Sequence, residues 1–131
     1  MIVLDASAVL EYLFDTPKAE ALQRILTIET NFHAPELIDV EIAQVLRRYH
    51  LNQGISADRC RQALDDFCDL PIHRVSHRDL LPLIWHYRDN LSAYDAAYVA
   101  LAELLNAPLI TSDRRKLSNA PGLAAEIQLL G

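Results

Sequence analysis

Short apolar segments alternate with longer helical segments along this chain, and this alternation limits the possible folds more than any other feature. Strands are predicted at residues 1–5, 31–34, 71–75, 108–111 and 127–130. Helices are predicted at residues 7–14, 18–29, 35–52, 56–70, 77–90, 92–106 and 114–119. Strands that alternate with helices form parallel sheets covered on both faces. We therefore expect one three-layer α/β/α domain over residues 1–131, with a central parallel sheet of four to five strands.

The charge balance limits how the chain could contact nucleic acid. Twelve Lys and Arg stand against 18 Asp and Glu, a formal net charge of −6. A chain this acidic is not a bulk electrostatic binder of nucleic acid, so any such contact must be local. Ten of the twelve basic residues are Arg, which suits bidentate contacts to phosphate.

The termini and cysteines predict a cytoplasmic protein. The first five residues carry no basic segment, which is unlike a signal peptide. The longest apolar run, residues 96–102, is far too short to span a membrane. Cys60 and Cys68 lie on one predicted helix about 12 Å apart along its axis, beyond disulfide reach. We expect two free thiols in a reducing compartment.

Acidic residues occupy positions where a parallel sheet commonly binds its ligands. Asp5 and Asp113 each follow a predicted strand, and ligands of open parallel sheets bind outside the carboxyl ends of strands. Asp95 lies in the first turn of a predicted helix, and Glu41 lies within the apolar stripe of another. A carboxylate in an apolar stripe is costly unless another group pairs with it.

Each of these acids also has a purely structural interpretation. The three aspartates could cap helix N-termini, and Glu41 could pair with Arg48 or point to solvent. Four carboxylates at one sheet edge would repel one another unless they were protonated or neutralised by a cation. Oxygen ligands alone favour Mg²⁺ or Mn²⁺, and such sites commonly serve phosphoryl chemistry.

Four segments, taken together, are the most specific signal in the chain. They are Val3-Leu4-Asp5-Ala6-Ser7-Ala8, Glu41-Ile42-Ala43-Gln44-Val45-Leu46-Arg47-Arg48, Ser92-Ala93-Tyr94-Asp95-Ala96-Ala97-Tyr98-Val99-Ala100-Leu101-Ala102-Glu103 and Leu109-Ile110-Thr111-Ser112-Asp113-Arg114-Arg115. In this order, spanning the chain from Asp5 to Arg115, they resemble the PIN-domain family and most specifically the VapC-type toxin ribonucleases. Their joint order and spacing is more specific than any one of them. One departure is Gln44, where the family helix often has Asn.

The resemblance implies a PIN-like fold and Mg²⁺- or Mn²⁺-dependent endonucleolytic cleavage of RNA. Water would be the nucleophile, and the products would carry a 5′-phosphate and a 3′-hydroxyl. It also implies inhibition by a cognate antitoxin protein and a homodimer. The catalytic and metal-binding residues would be four acids, with two supporting hydroxyls: Asp5, Glu41, Asp95 and Asp113, with Ser7 and Thr111.

Two further sets of residues carry lower-ranking predictions. Arg114, Arg115 and Lys116 directly follow Asp113 and could contact RNA phosphates or form a solvated face. Trp85, near Leu81 and Ile84, is expected in the core or on a dimer surface. A metal pair formed by His73 and His77 is disfavoured because the two straddle a predicted strand-to-helix boundary.

Two alternative functions remain open at this point, and a third is ruled out by the sequence. A receiver-type phospho-acceptor domain has a similar length and an acidic Mg²⁺ pocket, but it needs an acid pair after the first strand and a nearby Lys. A PIN relative that only binds a partner would usually have lost one or more of the acids. A phosphatase of the haloacid dehalogenase type needs a second Asp where this chain has Ser7.

Overall fold

A computed structural model describes residues 1–29, 31–115 and 126–130 of the chain. Its described part contains one five-stranded parallel sheet with strand order β3-β2-β1-β4-β5. The predicted α/β/α fold with a parallel sheet of four to five strands is confirmed. The strands are β1 (Ile2–Leu4), β2 (Phe32–Pro35), β3 (Ile72–Val75), β4 (Leu109–Thr111) and β5 (Ile127–Leu129).

Six α-helices flank this sheet in the described part of the chain. Helix α6 is buried over most of its length and contacts β1, β2 and β4, while α1 contacts β4 and three other helices. A 3₁₀ turn at His77–Leu80 precedes the fifth helix. The helices are α1 (Ala6–Leu13), α2 (Ala19–Ile28), α3 (Ile38–Gln53), α4 (Ala57–Asp69), α5 (Leu81–His86) and α6 (Ala93–Leu105).

The strand order places the first strand at the centre of the sheet. The chain fills the sheet from β1 outwards to β3, then returns to add β4 on the other side. The order therefore reverses between β1 and β4, and the crevice outside the carboxyl ends of two such strands is where open α/β sheets bind ligands. Receiver-type domains have the order 2-1-3-4-5, so the observed topology excludes that alternative.

Local signals for helix ends agree with the structure at three positions. Gly54 ends α3 in the left-handed conformation with φ of 68°, which glycine adopts without steric cost. The hydroxyls of Ser56 and Ser92 each accept a backbone hydrogen bond at the start of α4 and α6. These ends depend on neighbouring residues alone, so the sequence predicts them.

The predicted start of the long helix at Pro35 is wrong. Pro35 is the last residue of β2 and pairs with Val75. A proline disfavours helical backbone at the residue before it, so Ala34 stays extended and β2 continues up to Pro35. Helix α3 begins at Ile38, and a backbone N–H at its start is hydrogen-bonded by a residue of a distant segment. The Leu37 N–H donates a hydrogen bond of 2.9 Å to Nε2 of His77. This nitrogen is therefore occupied by a structural hydrogen bond.

The single helix predicted over residues 77–90 is also wrong. A continuous helix would put Pro82 in its interior, where proline removes a hydrogen bond and clashes with the preceding turn. The chain instead forms the 3₁₀ turn first and accommodates Pro82 in the first turn of α5. Trp85 is 69% exposed with the Arg88 guanidinium 4.8 Å from its ring centre. Of its two predicted places, the core is therefore wrong, and the dimer surface stays a prediction.

The remaining predictions concern the two cysteines, membrane-spanning segments and the last helix. Cys60 and Cys68 are free thiols, the first buried and the second exposed, as predicted. Among the described helices, none has both the length and the apolar composition needed to cross a bilayer. The helix predicted at residues 114–119 falls mostly outside the described residues.

Candidate active site

A pocket of about 370 Å³ opens outside the carboxyl ends of β1 and β4. Its lining includes all four of the acids that the sequence singles out, and they arrive from four different parts of the fold. We call this opening the carboxylate pocket. Its predicted acids are Asp5 after β1, Glu41 on α3, Asp95 on α6 and Asp113 after β4. A fifth carboxylate, Glu11 on α1, also lines the pocket and accepts a hydrogen bond from the Thr16 hydroxyl.

Asp5 is fully buried and is held by hydrogen bonds to both of its carboxylate oxygens. Its Oδ1 accepts from the backbone N–H of Ala8 at 3.0 Å and from the Ser7 hydroxyl at 2.7 Å. Its Oδ2 accepts from the Thr111 hydroxyl at 2.5 Å. Asp5 therefore caps α1, as its structural interpretation predicts, and a single rotamer is fixed from three directions. Capping and a role in the pocket are compatible.

Ser7 and Thr111 join the ends of β1 and β4. Their hydroxyl oxygens lie 3.2 Å apart. The backbone N–H of Ser112 donates to Ser7 at 3.0 Å, and that of Asp113 donates to Thr111 at 3.0 Å. Thr111 is fully buried. This network fixes the start of the loop after β4 against Asp5, and thereby sets where Asp113 enters the pocket.

Glu41 is bound by a residue that the sequence interpretation did not consider. The Tyr98 hydroxyl donates 2.6 Å to Oε1 of Glu41. Burial, followed by the charge of Glu41 and this hydrogen bond, raises the pKa of Tyr98 far above its usual range. The phenol is therefore a permanent donor to Glu41. Tyr98 lies three residues after Asp95 on α6, and that spacing places both on one helix face.

Asp113 is paired with a guanidinium at the mouth of the pocket. Its oxygens accept from Nε and Nη2 of Arg115 at 3.2 and 3.1 Å, and Oδ1 also accepts from the Arg115 backbone N–H. Hydrogen bonds and charge from Asp113, with a contribution from Asp95, raise the pKa of Arg115. The Asp95 backbone N–H donates to the Ser92 hydroxyl oxygen at 3.2 Å, so Ser92 caps α6.

The donor chemistry of the carboxylate pocket fits a hard divalent cation. Four carboxylates supply oxygen ligands only, the type that Mg²⁺ and Mn²⁺ prefer, and the pocket already draws one cationic group, Arg115, onto Asp113. As the side chains stand, no three His, Cys, Asp or Glu in residues 1–29, 31–115 and 126–130 are arranged to hold one ion. An ion at Asp113 would have to compete with Arg115.

Of the other residues that the sequence singles out, some line the carboxylate pocket and others do not. Arg115 lines the pocket, whereas Arg114 is exposed and Gln44 lies outside the lining. Lys116 falls outside the described residues. The sequence interpretation missed Tyr98, Arg48, Tyr49 and Phe14 as lining residues. Helical spacing could have found Arg48, which lies seven residues after Glu41 and therefore close to the same face.

Known proteins that are similar to this chain identify its family. The sequence profile of the PIN domain matches residues 2–123. The chain is 41% identical to Ribonuclease VapC1 of Mycobacterium tuberculosis over 98% of this chain and 96% of that protein. It is 44% identical to Ribonuclease VapC9 of the same organism over 88% of this chain and 87% of that protein.

Two solved structures share the fold. One is a toxin-antitoxin complex from Klebsiella pneumoniae, with a TM-score of 0.62 and 19% identity over 98% of this chain and 96% of that one. The other is VapBC-5, a member of the VapBC family of toxin-antitoxin systems from Mycobacterium tuberculosis, with a TM-score of 0.56 and 17% identity over the same shares. At such identities the likeness concerns the fold alone.

Proposed function

The chain belongs to the PIN domain family and groups within it with the VapC ribonucleases, and on this premise we propose that it is a Mg²⁺- or Mn²⁺-dependent endoribonuclease. The observation that carries the proposal is the carboxylate pocket itself. Four acids from four separate elements meet at the point where the strand order reverses. Helix capping alone gives no reason for Glu41, which lies within α3, to share a pocket with three aspartates.

In the proposed reaction, the oxygen of a water molecule bonds to phosphorus and the P–O3′ bond breaks. The products carry a 5′-phosphate and a 3′-hydroxyl, with a proton transferred to the leaving oxygen. Asp5, Glu41, Asp95 and Asp113 would hold the ion, which supplies Lewis acidity to activate water and to offset charge on the phosphate. No Cys or Ser–His pair lines the pocket within the described residues, so the chain offers no obvious nucleophile of its own.

Several residues of the chain prepare this chemistry without touching the reacting atoms. Ser7 and Thr111 fix Asp5 in one rotamer, and Tyr98 fixes Glu41. Because Asp5 and Glu41 are already held in place, less free energy is needed to arrange these two negative charges around an ion when it binds. Arg115 screens Asp113 in the absence of the ion.

We also propose that the protein is the toxin of a toxin–antitoxin pair, acting in the cytoplasm as a homodimer. Its fold neighbours include a toxin-antitoxin complex, and its sequence relatives are ribonucleases named VapC. A cognate antitoxin could silence the carboxylate pocket by inserting a cationic side chain. The ion pair between Arg115 and Asp113 supports this proposal, since a guanidinium binds one of the pocket's acids there. If a small protein is encoded beside this chain, its co-expression should suppress toxicity and yield a stable complex. Toxicity that persists despite demonstrated binding would contradict occlusion of the pocket.

The direct test of the activity is cleavage of structured RNA by the purified protein with Mg²⁺ or Mn²⁺ and with EDTA. We expect cleavage only with the metal, and 5′-phosphorylated products. Asp95→Asn should lower the rate by orders of magnitude, because it removes a charged ligand. Asp89→Asn is the matched control, since Asp89 is exposed and lies outside the pocket lining. Robust cleavage in EDTA, or equal effects of the two variants, would refute the proposed mechanism.

A further inference from the structure

The carboxylate pocket continues beyond its acids to a second end with different chemistry. Here the lining includes Arg48 and Tyr49 on α3, with Phe14 after α1 and Glu11 on α1. Arg48 follows Glu41 by seven positions, which is about 10.5 Å along the helix axis. This end is therefore two helical turns away from Glu41, so that it would meet a part of a substrate next to the reacting group rather than the reacting group itself.

The two arginines that line the pocket differ in how they are engaged. Arg115 is held by both oxygens of Asp113. Arg48 is exposed, and across residues 1–29, 31–115 and 126–130 it forms neither an ion pair nor a hydrogen bond. A pocket lined by five carboxylates repels a polyanion unless a cation of the chain offsets them. The N–H donors of the Arg48 guanidinium, which lines the pocket, are therefore available to a ligand.

The aromatic side chains at this end form a wall beside Arg48. The rings of Phe14 and Tyr49 pack edge to face with centres 5.3 Å apart. The Arg59 guanidinium lies 4.6 Å from the centre of the Phe14 ring and donates 2.8 Å to the Leu13 carbonyl. Arg59 is thus committed to covering Phe14. Tyr49 is half-buried, and its hydroxyl has no hydrogen-bond partner among the described residues.

We infer that Arg48 and Tyr49 form a nucleotide subsite for single-stranded RNA, in which an unpaired base packs on the aromatic wall and a neighbouring phosphate binds Arg48. The inference rests on the proposed function for the identity of the polymer. Guanidinium groups bind phosphate through paired hydrogen bonds. Aromatic rings accept any unstacked base, and this is the common mode of binding single strands. A base held within a duplex could not reach such a wall.

Arg47 provides a matched control for Arg48. It is the preceding residue, carries the same charge and is also exposed. It lines a different groove, an apolar one between α3 and α4 that includes Leu46, His50 and Leu64. Arg47→Gln and Arg48→Gln therefore make the same change in net charge on the same helix, but only the second removes a cation from the carboxylate pocket.

The first measurement is fluorescence anisotropy of a labelled single-stranded RNA titrated with protein in EDTA, where the proposed cleavage is off. We expect Arg48→Gln to raise the dissociation constant about tenfold, as for loss of a charge-assisted hydrogen bond. The salt dependence, as the slope of log K against log salt, should fall by about 0.7 for the lost phosphate contact. Arg47→Gln should change neither quantity. Equal effects of the two variants, no effect of either, or no binding by wild type would overturn the inference.

The second measurement concerns the aromatic wall. Wild type should bind the single strand about tenfold more tightly than the same strand annealed to its complement, as stacking on an aromatic side chain requires. Tyr49→Leu should remove most of that preference, while thermal melting confirms that the variant is folded. A preference for duplex in wild type would overturn the subsite. An acidic peptide that competes with RNA for wild type and not for Arg48→Gln, while the strand preference is absent, would assign this end to a protein partner instead.

The outcomes separate the subsite from the reaction. If RNA binding depends on Arg48 but no metal supports cleavage, the subsite stands and the proposed activity fails. If wild type cleaves RNA with Mg²⁺ and Arg48→Gln retains its affinity and salt slope, the activity stands and the subsite fails.

Discussion

The Tyr98 hydroxyl on α6 donates a hydrogen bond of 2.6 Å to Oε1 of Glu41 on α3, across 57 positions of sequence. This contact explains how a carboxylate is tolerated in the apolar stripe of a helix, since a half-buried charge needs a partner. It also ties α3 to the helix that carries Asp95. The position of one acid of the carboxylate pocket thus depends on a residue that is itself not an acid.

Tyr98→Phe should destabilise the protein by about 1.5–3 kcal/mol, the range for a hydrogen bond to a charged group. The same variant should cut RNA cleavage about tenfold or more, because Glu41 loses the donor that orients it. Tyr94→Phe is the control on the same helix, since Tyr94 is 69% exposed. Urea denaturation and a cleavage assay measure both effects. Wild-type stability in Tyr98→Phe would show that the contact contributes nothing.

Asp5→Asn separates helix capping from metal binding. Asparagine caps about as well as aspartate, and the Thr111 hydroxyl can turn to accept from the new amide. We expect a folded variant that melts within a few degrees of wild type in EDTA. Wild type should gain about 2.7 kcal/mol when Mn²⁺ reaches a hundredfold excess over its dissociation constant, and the variant much less.

Cleavage by Asp5→Asn should fall by orders of magnitude. Asp58→Asn is the control, because Asp58 lies in the first turn of α4, is exposed and does not line the pocket. If Asp5→Asn kept both its metal-dependent shift and its activity, Asp5 would be a cap only.

Arg115→Gln should tighten metal binding. Arg115 occupies both oxygens of Asp113, so an incoming cation must displace or share that pair. The guanidinium is exposed, so water weakens its attraction to Asp113. Removing it should therefore lower the Mn²⁺ dissociation constant only modestly, by up to about fivefold in calorimetric titration. Arg114→Gln, the exposed neighbour outside the lining, should leave the constant unchanged. Weaker binding by Arg115→Gln would instead make Arg115 a helper of the ion.

The protein should lose stability on mild acidification, with part of that loss due to His33. Burial, then the charges of His73 and of the N-terminus, lower the pKa of His33 from 6.5, against an opposing effect of Glu29. The folded state thus binds fewer protons here than the unfolded state. The contribution is complete above about pH 6.5 and is lost as the pH falls through the lowered value.

His33→Gln tests this assignment through thermal melts at about pH 7.5 and about pH 5.5, the range in which histidines titrate. The variant should lose fewer degrees between the two conditions than wild type. His86→Gln, which removes an exposed histidine of α5, should lose as many degrees as wild type. A His33→Gln variant that is as sensitive to acid as wild type would assign the loss to other groups.

Much of the fold was predictable because its signals are local. Gly54, Ser56 and Ser92 end or begin helices through their own backbone preference or hydroxyl. The alternation of apolar strands with helices predicts the parallel sheet. The predictions that failed, the helix start at Pro35 and the helix over residues 77–90, needed contacts from other segments or the position of Pro82 within a turn.

At the candidate site, the order of residues is enough to predict which acids are available and that Asp5 and Asp113 follow strands. Parallel strands end at a common edge, so this much follows from the order of elements. Three pairings appear only in the folded chain: Tyr98 rather than Arg48 binds Glu41, Arg115 screens Asp113, and Arg48 lies uncommitted at the far end of the pocket. Such pairings depend on how distant helices pack and on which side-chain donors remain within reach, which residue spacing along one chain does not encode.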